Sequence, residues 1–153
     1  MIAWRLATTL HPPLTGEGAR KRGGRWNSIG VPLVYASEHL SLAVLELLVH
    51  VESDDLPDTL AAYELTIPAE QMEQRDDVPT DWFADPLQRQ TRRFGDSWAA
   101  EQRSLTLTVP SALIRRENNV LLNPLHPGFA EIRIRNRQAF QLDPRLRTRA
   151  APY

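Results

Sequence analysis

The 153-residue chain contains no cysteine, which removes disulfides, thiolate metal sites and cysteine nucleophiles together. With no thiol, a nucleophile is expected to be an oxygen or an imidazole. A long apolar run is also missing: the longest, Leu40 to Val51, is broken by Ser41, Glu46 and His50 and is too short to cross a bilayer. The amino terminus, Met1-Ile2-Ala3-Trp4-Arg5, has neither a basic stretch leading an apolar one nor a small-residue cleavage site, so no secretory signal is expected. These absences predict a soluble, cytoplasmic protein that engages no membrane. The histidines, His11, His39, His50 and His126, show no H-E-x-x-H and no other ligand spacing, so no metal is expected. No Walker A lysine motif occurs. Gly16 and Gly18 begin a G-x-G, but Lys21 stands at the third glycine position and no strand immediately precedes it, so the dinucleotide fingerprint is absent as well.

What remains is a chain long enough for one domain, residues 1–153, with a core that needs no covalent staple. The net charge of −1 hides an asymmetry. Residues 104–153 carry eight arginines against Glu117, Glu131 and Asp143, a sum of +5, which leaves −6 for residues 1–103. Such a basic third is either a solvated edge or a patch that meets an anionic ligand or acidic partner. Arg89, Arg92, Arg93 and Arg103 share their segment with Asp96 and Glu101. That mixed-charge face reads as solvated, and with no helix-turn-helix or aromatic support direct nucleic-acid binding is not expected.

Periodicity predicts a short strand at Ile2–Leu6, then a loop from His11 through Asn27. A second, interior strand at Pro32–Ala36 places Leu33 and Tyr35 on one face and Val34 on the other. A helix from Glu38 to about Val51, capped by Ser37 or Ser41, is apolar nearly all round and is expected to be buried. Ala61, Tyr63, Leu65 and Ile67 alternate as a half-buried strand, and residues 69–84 are acidic and irregular, with an exposed-looking pair at Trp82-Phe83. Pro86 to about Arg103 reads as a helix weakened by Gly95. A strand at Leu105–Val109, a turn at Asn118-Asn119, a strand at Val120–Leu122 and closing strands at Ile132–Ile134 and Phe140–Leu142 complete the pattern. Six or seven strands that do not alternate regularly with two main helices predict α+β: a single compact domain, with a mixed or antiparallel sheet and a buried helix.

Glu46 is the most informative residue, because a carboxylate that interrupts an apolar helix must find a partner. The partner is structural, His50 one turn on or an arginine elsewhere, or the carboxylate faces a cleft and holds a sugar hydroxyl or a developing cation. Arg25, in Gly23-Gly24-Arg25-Trp26-Asn27, sits where glycines let a backbone approach a ligand and a guanidinium can clamp phosphate oxygens; the same segment also reads as a plain turn. Tyr35 is either a core aromatic with a satisfied hydroxyl or a platform for a planar heterocycle. Ser111, after Pro110 at a strand end, lacks a paired histidine and reads as a turn serine or a ligand contact.

Taken together, Trp4-Arg5, Gly23-Gly24-Arg25-Trp26-Asn27 with Gly30, residues 32–37, residues 42–50, Val109-Pro110-Ser111-Ala112 and residues 119–127 resemble, in order and spacing, the RES domain, named for its arginine, glutamate and serine. The resemblance runs from residue 4 to about 143. It implies a compact α+β fold similar to the catalytic core of diphtheria-toxin-like ADP-ribosyltransferases, NAD as substrate without a metal, and an Xre-type helix-turn-helix antitoxin as partner. Position by position, it puts the family arginine on Arg25, the tyrosine on Tyr35 and the glutamate on Glu46, as the catalytic set. The serine falls on Ser111, with Asn118 and Asn119 as other small polar groups nearby. Arg25, Trp26, Tyr35, Ser111 and Asn119 are the expected NAD-binding residues. The implied function is a toxin that cleaves the nicotinamide–ribosyl bond and arrests growth. The acceptor is water or phosphate, or a host protein in a mono-ADP-ribosyltransferase; a non-catalytic module with a structural Arg25/Glu46 pair is the remaining alternative.

Overall fold

The computed structural model describes residues 1–50, 56–84 and 89–146. Among the described residues a single mixed sheet carries all the strands: β1 (Ile2–Thr8), β2 (Val34–Ser37), β3 (Leu60–Thr66), β4 (Met72–Gln74), β5 (Thr106–Pro110), β6 (Asn118–Leu122) and β7 (Arg133–Ala139). Their order is β4-β5-β6-β2-β1-β3-β7. Every pairing is antiparallel except β4 with β5. The helices are α1 (Glu17–Arg22), α2 (Leu40–Leu48) and α3 (Arg89–Glu101). This is the α+β arrangement expected, with β2 in the interior.

The two faces of the sheet follow from strand alternation. Val34 and Ala36 of β2, with Val120 and Leu122 of β6, face one core together with Ala61, Tyr63 and Leu65 of β3. Leu33, Tyr35 and Leu121 face the other core, where α3 lays Trp98 and Ala99 over Leu107 and Val109 of β5. The buried Trp98 indole N–H donates to Ser104 Oγ at 2.7 Å, so burying the ring strands no polar group. The candidate site lies on this second face.

Several expectations need correction. The stretch read as loop through Asn27 contains α1, ended by Gly23 at φ +72°, a left-handed conformation that glycine adopts without steric cost. Neither Ser37 nor Ser41 caps α2; His39 stands at its N-cap and makes no side-chain cap. Nor is α2 buried all round. Only Leu42 and Ala43 are buried, against β1 and β2, while Leu45 is 41% and Val49 55% exposed. An apolar pattern reports which side chains can be buried, not how many neighbours the helix finds. α2 ends at Leu48 with Val49 as its C-cap, short of the end expected near Val51; Val51 itself and Pro86, the expected start of α3, lie outside the described residues.

β4 was hidden in the irregular stretch because three residues show no period. Asn118-Asn119, read as a turn, begins β6 opposite Pro110 and Val109. Of the two closing strands only the first is found, extended as β7 over Arg133–Ala139 and exposed at every position; residues 140–142, expected as a second strand, follow it without strand structure. Charged side chains on an edge strand discourage further strand addition and also erase the apolar alternation by which strands are recognised. Among the described residues no helix is long and apolar enough to cross a membrane.

Gly95 weakens α3 by propensity, and the structure shows why it is there. A Cβ at Gly95 would lie 1.8 Å from the Trp26 carbonyl oxygen. Gly95→Ala should therefore destabilise the fold by about 1–3 kcal/mol through forced repacking, although alanine is the better helix former by about 1 kcal/mol. Thermal or urea unfolding checks this, and a variant as stable as wild type or more so refutes the close contact.

Candidate active site

Glu46 stands one turn beyond Leu42 on α2, and its side chain reaches the ends of β5 and β6. Its Oε1 accepts from Ser111 Oγ at 2.7 Å and from Asn119 Nδ2 at 2.6 Å. Among the described residues neither His50 nor an arginine bonds it, and its partners are neutral donors. Ser111 is fully buried and Asn119 is 9% exposed, so water competes little for either contact. The direction of the serine contact is fixed: Ser111 Oγ accepts from the Leu113 and Ile114 amides at 3.1 and 3.2 Å, and its single proton goes to Glu46. Oε2 of Glu46 accepts no hydrogen bond among the described residues. One carboxylate oxygen is held, and the other can accept a hydrogen bond from a ligand.

The second half of the site is the loop Gly23–Ser28, which α3 clamps from one side. Arg92 Nε donates to the Gly24 carbonyl at 2.9 Å, and Asp96 Oδ1 accepts from the Ser28 amide at 2.9 Å. With Gly95 against Trp26, these residues occupy positions i, i+3 and i+4, a single helix face. The mixed-charge face read as merely solvated is thus in part a loop clamp. From below, the Tyr35 hydroxyl donates to Asn27 Oδ1 at 2.7 Å and accepts from the Trp26 amide at 3.1 Å. Burial pushes this phenol well above its ordinary pKa, so it serves the loop as a neutral group. A Cβ at Gly24 would lie 2.6 Å from that hydroxyl; this glycine makes room for Tyr35.

Asn27, fully buried, is a residue that sequence reasoning quoted without giving it a role. Its Nδ2 donates to the carbonyls of Ala19, Ser28 and Val31 at 2.9–3.2 Å, which ties the loop to α1. Trp26 is 2% exposed, and its ring meets Phe94 edge-on at 6.0 Å. The structure makes it a core aromatic and offers no indole surface to a ligand. Arg25 turns the other way: its Nη1 donates to the Trp82 carbonyl at 2.8 Å and more weakly to that of Ala84 at 3.4 Å. Arg25 and Glu46 form no ion pair. Of the pair Trp82-Phe83, Trp82 packs at the edge of the core, while Phe83 is 41% exposed beneath Arg115, 4.0 Å from its ring centroid.

The halves meet on β2. Tyr35 and Ser37 are two residues apart on one strand face, about 7 Å; Tyr35 anchors the Arg25 loop, and Ser37 lies opposite Asn119, which holds Glu46. β1 and β2 pair only at Trp4 and Ser37. The Tyr35 carbonyl instead accepts from Arg5 Nη1 at 2.7 Å, while Arg5 Nε donates to the Pro13 carbonyl at 2.7 Å. Burial pulls the Arg5 guanidinium down to about 10.

The chain matches the RES domain over residues 2–143. It is 38% identical over 152 residues to the Prs ADP-ribosylating toxin of Sphingobium sp. strain YBL2, covering 94% of each chain. It is 40% identical over 151 residues to Toxin Res of Photorhabdus laumondii, covering 95% of this chain and 97% of the relative. Its fold resembles a chain of the M. tuberculosis MbcT–MbcA toxin–antitoxin complex with a TM-score of 0.68 at 16% identity, covering 91% of this chain and 83% of that one.

Tyr35→Phe should leave the Asn27 oxygen and the Trp26 amide without their shared partner and cost about 1–3 kcal/mol of stability. Chemical denaturation measures this, and a neutral result would show that the phenol does not hold the loop.

Proposed function

The chain belongs to the RES domain family, matched from residue 2 to residue 143, and on that premise we propose that it is the toxin of a bacterial toxin–antitoxin pair that breaks the nicotinamide–ribosyl bond of NAD. The observation that carries the reading is the carboxylate of Glu46, with Oε1 held by two buried donors and Oε2 without a hydrogen bond among the described residues. When the bond from the ribose carbon to nicotinamide breaks, its electron pair leaves with the nicotinamide and neutralises that ring. The ribosyl carbon becomes oxocarbenium-like, the charge that a fixed carboxylate stabilises in glycoside hydrolysis. Glu46 Oε2 holds a ribose hydroxyl and faces this charge.

Arg25 keeps Nε and Nη2 for the pyrophosphate while Nη1 stays on the Trp82 carbonyl. Tyr35, half-buried, offers part of its ring to the nicotinamide. Ser111 and Asn119 act on NAD through Glu46, and Trp26 supports the site through its backbone. The acceptor then bonds the ribosyl carbon and gives up its proton. Water yields ADP-ribose, phosphate its phosphorylated counterpart, and a protein side chain a mono-ADP-ribosylated protein. The name of the Sphingobium relative favours the last of these as a second reading, with a host protein as acceptor.

The partner is an Xre-type helix-turn-helix antitoxin that covers the cleft in the cytoplasm of the producing cell. The M. tuberculosis complex, itself a toxin–antitoxin assembly, supports an antitoxin as partner. So do Leu45 and Val49, which expose apolar surface on the helix that bears Glu46, and Arg133, Arg135 and Arg137, which the basic carboxy-terminal third presents on the exposed β7.

Glu46→Gln can keep the contacts at Oε1 through its amide oxygen, so it should bind NAD nearly as wild type while turnover falls by about 2–4 kcal/mol, roughly 30- to 1000-fold. Arg25→Ala should instead raise KM, because the pyrophosphate carries its charge before and during the reaction. Nicotinamide release measured against NAD concentration separates the two, and reversed effects would overturn the assigned roles. Radiolabelled NAD in lysate separates the acceptors: label on a protein band marks transfer, and nicotinamide release without labelling marks hydrolysis or phosphorolysis.

A further inference from the structure

Ser37 ends β2 and is the residue at which that strand pairs with both neighbours, Trp4 of β1 and Asn119 of β6. It is 3% exposed, and its hydroxyl stands 2.7 Å from Asn119 Oδ1. We propose that Ser37 is a positioning residue for Glu46: its proton, donated to Asn119 Oδ1, holds the amide in the orientation that aims Nδ2 at Glu46 Oε1. The kinetic consequence rests on the proposed NAD reaction, whereas the geometry does not.

An asparagine amide places its oxygen and its NH2 group symmetrically, so a half-turn exchanges acceptor for donor at the same two places. Turned over, Asn119 Oδ1 would face Glu46 Oε1 across a contact of 2.6 Å, acceptor against acceptor, where low polarity leaves the repulsion poorly screened. In the observed orientation every atom meets its complement: the Ser37 proton meets Oδ1, and an Nδ2 proton meets Oε1. Ser111 is oriented independently by the Leu113 and Ile114 amides. Glu46 Oε1 is therefore held by two donors, each fixed by a further group.

This matters because α2 itself places the carboxylate weakly. Of its residues only Leu42 and Ala43 are buried, so apolar packing sets the position of the helix more firmly than that of Glu46. Without the Ser37 hydroxyl, Asn119 Oδ1 is left in a buried place without a donor, a condition that drives the amide to turn toward another hydrogen. Nδ2 then leaves Glu46, which keeps only Ser111 and swings away from the position where its free oxygen meets the ribose.

The test compares Ser37→Ala, Asn119→Ala and the double variant for NAD turnover, with thermal unfolding as a check of the fold. Ser37→Ala should lower kcat about tenfold with KM within about twofold of wild type. The double variant should turn over no more slowly than Asn119→Ala alone, because a residue that acts through the amide has nothing left to orient once the amide is gone. Ser37→Thr, which keeps the hydroxyl, should recover most of the lost kcat. Additive losses in the double variant, or an unchanged kcat in Ser37→Ala, overturn the proposal. A second readout needs no activity: the side-chain amide resonances of Asn119 in the nitrogen-15 spectrum should move toward free-asparagine positions in Ser37→Ala. If they stay where wild type has them, the proposal fails whatever the chain does to NAD. A wild-type protein that releases no nicotinamide sinks the proposed reaction instead, and the amide resonances then decide the role of Ser37.

Discussion

A contact with no room for a methyl group, Gly95 of α3 on the Trp26 carbonyl, governs the arginine side of the site. Because the helix backbone meets the loop backbone directly, Arg92 and Asp96 on the same helix face reach the Gly24 carbonyl and the Ser28 amide. The loop is thereby pressed onto Tyr35, whose hydroxyl bonds Asn27 and the Trp26 amide. Arg25 needs no strong contact of its own to be placed. Its neighbours on both sides are fixed, and its guanidinium is left with a carbonyl contact that a phosphate can supplement.

The glutamate side is organised by a different economy. A carboxylate on a partly exposed helix is steered by polar contacts more than by packing, and the contacts it finds are buried and directional. Neutral donors suit the cation-stabilising role proposed for this carboxylate. An arginine partner would cancel the negative charge that an oxocarbenium centre needs, whereas a serine and an asparagine orient Oε1 and leave that charge in place. Arg25 and Glu46 form no ion pair, so the two tasks proposed for them, anion binding and cation stabilisation, do not compete.

Much of the fold was legible in the residues. β3 and β5 follow the alternation of apolar and polar side chains, β1 and β2 are short apolar segments between turn signals, and α3 follows a helix start signalled by Pro86. The errors cluster where polar residues occupy strands. Asn118-Asn119 looked like a turn because asparagine usually is one, yet Asn119 spends its side chain on Ser37 and Glu46 rather than on its own backbone. β7 was legible only at its start, around Ile132–Ile134, because its arginines sit on an exposed edge. Both departures from local preference occur where a side chain has a task outside its own element.

Arg25, Tyr35 and Glu46 could be singled out from sequence because each breaks a local rule: an arginine beside paired glycines, a tyrosine ending an apolar strand, a carboxylate inside an apolar helix. The missing cysteine likewise narrowed the chemistry before any fold was known. What only the tertiary structure decided is which groups each of these touches. The partners of Glu46 lie 65 and 73 residues away in sequence, and that of Arg25 lies 57 residues away. Periodicity carries no information across such separations. Hydrogen-bond direction is a property of atoms brought together by the sheet, so whether Ser111 meets a ligand or a carboxylate, and whether Trp26 faces a cleft or a core, was set only when the strands found their register.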